Sequence, residues 1–143
     1  MQRAPAPRPL RRGSALLDGL IALAILAFGM LAMTRFQGRL IAQATDAQVR
    51  QTATELASEL VATVLVDTGS AACYTLPQAG ACTNADAKAR TEAWKARVLG
   101  ALPGASDPTS TLDAGTGRLT VVLGWTDKGA SDARTLTTVT DVR

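Results

Sequence analysis

The sequence predicts an α+β fold. One long N-terminal helix, apolar in its first half and amphipathic in its second, is expected to pack on a small globular head with a short helix and an antiparallel β-sheet. Three observations carry this reading. From Ala15 to Met33 the only polar residue is Asp18. Further on, Val49, Ala53, Leu56, Leu60 and Val64 recur at steps of four, three, four and four, the helical period. Near the C-terminus Leu119, Val121, Leu123 and Trp125 alternate with Thr120, Val122, Gly124 and Thr126, the pattern of a half-buried strand.

The leader, residues 1–13, holds Pro5, Pro7 and Pro9, which oppose helix. It also holds Arg3, Arg8, Arg11 and Arg12 and no acid. Helix is expected to start at Ser14, a good N-cap by type. No proline follows until Pro77, so the helix is expected to run from Leu16 to Val66, about 75 Å at ~1.5 Å per residue. Asp67-Thr68-Gly69 is the expected stop, with Gly69 as the C-terminal glycine. The apolar stretch Ala15 to Met33 spans about 28 Å as a helix, against a hydrocarbon core of ~30 Å. Gly29 and Gly38 are its expected weak points, each costing ~1 kcal/mol relative to alanine. The expected divisions are a leader at 1–13, a membrane-spanning helix at 14–34, an amphipathic helix at 35–68 and a head at 69–143.

Within the head, Ser70 to Thr83 reads as a loop and contains Cys73 and Cys82. Thr83 or Asn84 can cap a second helix through about Leu102, with Asp86 in its first turn, where an acid suits the helix dipole. Trp94, Val98 and Leu102 form its apolar face, and Pro103-Gly104 ends it. Leu119 to Trp125 is the main strand. Leu136 to Val142 is expected to pair with it antiparallel, and Thr109 to Leu112 supplies a shorter third strand. The alternation of Trp125 with Leu123 and Val121 points the indole inward, as a core residue.

The net charge of +3 belongs to the leader. Removing its four arginines from the 15 basic residues leaves 11 against 12 acids, a net of −1. That balance and an aromatic content of 3% argue against a nucleic-acid surface. The chain has no histidine, so Ser-His, Cys-His and histidine-metal constellations are excluded. No catalytic, cofactor-binding or metal-ligating set is expected, and no enzyme. Four arginines precede the apolar stretch, whereas Arg35 and Arg39 follow it. The positive-inside rule therefore places the N-terminus in the cytoplasm and the head across the membrane. In that oxidising compartment a Cys73–Cys82 disulfide is expected, with two free thiols as the alternative. Closing so small a loop contributes roughly 2–3 kcal/mol.

Two bland readings of the N-terminus compete. A secretory signal has an apolar core of ~7–15 residues followed by a small-residue cleavage site. Here the apolar run is long, and Met33-Thr34-Arg35 is a poor site. A plain single-pass anchor leaves Asp18 unexplained, since an unpaired carboxylate inside a membrane is costly.

The segment Arg11-Arg12-Gly13-Ser14-Ala15-Leu16-Leu17-Asp18-Gly19, with the apolar run after it, resembles the type IV prepilin signal. That signal is a basic leader ending in glycine, then a mature chain with an acid at its fifth position and a long apolar helix. The resemblance implies cleavage between Gly13 and Ser14 by a prepilin peptidase, N-methylation of Ser14, and an assembly role for Asp18. The family usually carries Glu where this chain has Asp18, and Phe or Met where it has Ser14. In related filaments helical structure is often lost near a proline in the zone of Gly29 and Gly38, and this chain has no proline there. The tail extends the likeness. Trp94 leading to Leu102-Pro103-Gly104, and Leu119-Thr120-Val121 leading to Trp125-Thr126-Asp127, resemble the head of a PilV-like minor pilin.

What the resemblance implies is a minor pilin of a type IV pilus, held in the bacterial inner membrane and then in the filament. Its implied partners are other pilins, met through the N-terminal helix. A minor pseudopilin of a type II secretion system has the same plan. A further alternative is a binding or adhesion module at a filament tip, with the Cys73–Cys82 loop as its contact surface.

Overall fold

The computed structural model describes residues 14–126 and 132–142. Helix α1 spans Ser14–Val66, helix α2 spans Ala85–Ala101, and strands β1, β2 and β3 span Thr109–Asp113, Arg118–Thr126 and Ala133–Asp141. The fold is α+β, with one antiparallel sheet in the order β1-β2-β3. The chain divides into two compact units, Met1–Gln43 and Ala44–Arg143, and α1 contributes to both. The division falls inside the segment expected to be the amphipathic helix.

In the first unit α1 is helical without interruption. It passes through Gly29 and Gly38, the expected weak points, and a Cβ added at either would meet nothing within 4 Å. The hydroxyl of Thr34 donates back to the carbonyl of Met30 at 2.9 Å. Ser14 is already helical, not the cap outside the helix, and Gly13 lies outside the described residues.

In the second unit the helical stripe is the core stripe. Ala53, Leu56, Leu60 and Val64 are buried, and Val49 packs at the margin of the core. Opposite them lie Trp94 and Val98 of α2 and the inward residues of β2, Leu119, Val121, Leu123 and Trp125. Trp94 joins the two helices directly, its Nε1 donating to the carbonyl of Leu56 at 2.8 Å.

Helix α2 begins as its sequence suggests. Asn84 is the N-cap, and its Oδ1 accepts from the amides of Asp86 and Ala87, each at 3.1 Å. Its end explains the Leu-Pro-Gly sequence. Leu102 is the buried C-cap, and Pro103 offers its carbonyl to the amide of Thr126 at 3.0 Å. Gly104 turns with φ +53, a conformation that favours glycine, and a Cβ there would strike the Thr126 hydroxyl.

Three expectations are corrected. Ser70–Thr83 is not all loop, because a 3-10 turn occupies Thr68–Tyr74. Gly69 lies inside that turn and is not a left-handed stop. Instead α1 ends through Asp67, whose amide bonds the carbonyl of Thr63 at 3.1 Å and whose φ/ψ of −119/54 redirects the chain. The last strand is Ala133–Asp141, not Leu136–Val142, because its ladder with β2 extends to Thr126↔Ala133.

Candidate functional site

The described surface of the first unit is an apolar helix with one acid. Leu16, Leu17, Leu20, Ile21, Leu23, Ile25, Leu26, Phe28, Met30, Leu31 and Met33 are all exposed, at 50–77% of their full surface. They lie all round the helix, so no single face could be buried on a head. By length and composition α1 is long and apolar enough to cross a membrane. An exposed apolar surface of this extent is a liability in water. Asp18 is exposed within it, one turn after Ser14 on the same side of the helix. Phe36, Leu40 and Ile41 continue the exposed apolar surface past Arg35.

The structure thus places Asp18 at the start of the apolar helix. It leaves Gly13 outside the described residues, together with the side chain of Ser14.

The second unit holds the cysteines. Cys73 and Cys82 form a disulfide with Cα atoms 4.8 Å apart. Cys73 is buried and Cys82 half-buried. The segment between them is tied to the head from several sides. Leu76 and Ser110 exchange two backbone hydrogen bonds of 2.8 Å, and Gln78 donates from Nε2 to the carbonyl of Ala72 at 2.8 Å. Thr91 of α2 donates to the carbonyl of Cys73 at 3.1 Å. Of the bridged loop only residues 77–81 are exposed. The bridge therefore braces the loop against β1 and α2.

Between α1 and α2 lies a shallow cleft of about 190 Å³, lined by Glu59, Tyr74, Arg90, Trp94 and Arg97 among others. Arg97 pairs with Glu59 across its mouth. Tyr74 is buried at its base and donates its phenol to Asp67 at 2.9 Å. Sequence reasoning missed this pair, since Asp67 and Tyr74 belong to no periodic pattern. Among the described residues no group of three or more His, Cys, Asp or Glu could hold a metal ion.

Burial, and then the hydrogen bond to the Asp67 carboxylate, raise the pKa of Tyr74 above its ordinary 10.0, and Arg90 opposes them. The folded head therefore favours the neutral phenol more than the unfolded chain does. Its stability contribution is full below pH 10 and is lost as pH rises through the raised value. Melting temperature is expected to fall on alkaline titration, in step with phenolate absorbance. The signal is unambiguous because Tyr74 is the only tyrosine. Tyr74→Phe is expected to flatten this part of the profile.

Compared with known protein families, with curated proteins and with solved structures, the chain matches none.

Proposed function

We propose that this chain is a minor pilin subunit of a type IV pilus. One observation carries the reading: a Gly-Ser junction and an acid four residues after the serine stand at the start of a continuous apolar helix whose large side chains are exposed, and that helix continues into a compact α+β head. On this reading a prepilin peptidase cleaves after Gly13 and methylates the new amine of Ser14. The apolar helix holds the subunit in the inner membrane, with the head in the periplasm, until it packs among the helices of other pilins. The same features serve a minor pseudopilin of a type II secretion system, and neighbouring genes for a pilus motor or for a secretin-linked system separate the two. The exposed residues 77–81 are the place for a tip contact, although their bracing favours a structural role.

Intact-mass measurement and N-terminal sequencing of the protein from native membranes test this. The expected chain starts at Ser14, carries one methyl group and has lost 13 residues. Gly13→Val is expected to abolish processing, because a branched side chain crowds the cleavage position. A chain that starts elsewhere, such as after Met33, rules the proposal out.

A further inference from the structure

Burial on α1 begins at a charged residue. Every described side chain from Leu16 to Thr45 is exposed, Asp46 is the first that is not, and Val49 and Ala53 follow as the helix meets the sheet. The Oδ2 of Asp46 lies 3.2 Å from Arg50 Nε, one turn along the same helix, and 3.5 Å from Arg134 Nη1 on β3. Arg134 is the register partner of Trp125 on β2 and shares its inward face. The corner therefore gathers an acid, two arginines and an indole inside the second unit.

This corner is incompletely satisfied. Asp46 Oδ1 and Trp125 Nε1, an acceptor and a donor, are both buried without a hydrogen-bond partner. Leaving such atoms unpaired carries a penalty that hydration would relieve. Further along, α1 is held to α2 by the Arg97–Glu59 ion pair and by the other core indole, Trp94, which is bonded to Leu56. Opening here would thus hydrate two orphaned atoms; it would uncover the Trp125 indole and, at the margin, Val49 and Leu136, which are only partly buried.

We propose that residues 44–50 of α1 and the start of β3 form an opening joint, with the Asp46–Arg134 ion pair as its latch. When the pair breaks, this turn of α1 swings off β3 as a local unit while the Trp94 core stays closed. Regions of few buried contacts open locally at free energies well below global unfolding. The ion pair sets how often this one opens. The device belongs to the head itself and does not depend on the pilin reading.

Hydrogen exchange on the full chain in detergent micelles tests the joint. Asp46→Asn and Arg134→Gln are each expected to speed exchange about fivefold in peptides covering 44–52 and 133–136, the factor that loss of a modest ion pair produces. Peptides covering 91–98 and 119–123 are expected to keep their rates. Trp125→Phe removes the orphaned donor together with one ring of a buried indole, so any faster exchange it causes is expected to be shared by peptides covering 119–123 and not confined to 44–52. Unchanged rates at 44–52 in both charge variants would overturn the latch. So would an equal rise throughout the head, which marks global destabilisation.

Discussion

Trp94→Ala is expected to be the most damaging single substitution in the head. Trp94 is 2% exposed and sits where α2 crosses the core stripe of α1. Its removal leaves a cavity bounded by Leu60 and Tyr74, the residues that line the neighbouring cleft. It also takes away the Nε1 donor that holds the carbonyl of Leu56. Truncating a buried tryptophan costs roughly 3–5 kcal/mol. A unit of about 100 residues has only ~5–15 kcal/mol in total. Melting temperature should therefore fall by about 12–40 °C or the head should fail to fold, read by near-ultraviolet circular dichroism of the remaining Trp125. Trp94→Phe keeps most of the apolar volume and loses the hydrogen bond, so its fall should be clearly smaller. A drop of only a few degrees for Trp94→Ala would show that α2 is not held to α1 through this residue.

The same contact shows what was legible in the sequence and what was not. Periodic burial was legible: the Val49-to-Val64 stripe, the Trp94–Val98–Leu102 face and the β2 alternation each repeat at the spacing of one secondary structure, and all three face the core. Local chemistry was legible too, as with the Asn84 cap. The Cys73–Cys82 pair needed only a compartment argument and two cysteines. Contacts between segments far apart in sequence left no such trace. Nothing periodic links Trp94 to Leu56, Thr91 to Cys73 or Asp46 to Arg134, since each depends on how elements are stacked. The 3-10 turn was hidden for another reason. Asp67-Thr68-Gly69 reads as a helix stop, yet the chain continues into a tighter helix whose last residue, Tyr74, is anchored back to Asp67. At the candidate site, apolar length and the offset of the acid were legible, because both are linear features of the sequence.

Asp18→Ala is expected to leave insertion and cleavage intact and to exclude the subunit from filaments. The prediction rests on the pilin reading and on one physical problem. Asp18 is the only polar residue between Ala15 and Met33, and a membrane-buried carboxylate without a partner is costly. No Lys or Arg occurs between Ser14 and Thr34 to serve it. The new amine of Ser14 on a neighbouring subunit is the nearest cation of the right kind, and methylation leaves its charge in place. Among packed helices each charge offsets the burial cost of the other, and the pairing also sets the axial register. Alanine removes one member and strands the amine, a loss of roughly 3–5 kcal/mol for a buried pair. Incorporation should then fall by about two orders of magnitude or more, since 1.4 kcal/mol is a factor of ~10. Insertion should not suffer, because alanine is easier than aspartate to place in lipid. Asp18→Glu should retain or improve incorporation, since one added methylene extends the carboxylate toward the amine. Immunoblots of sheared filaments against membranes give the incorporated fraction, and N-terminal sequencing of the membrane pool confirms that cleavage is unaffected. If Asp18→Ala enters filaments as well as the parent chain, charge pairing does not drive assembly, and the subunit joins by its apolar helix alone.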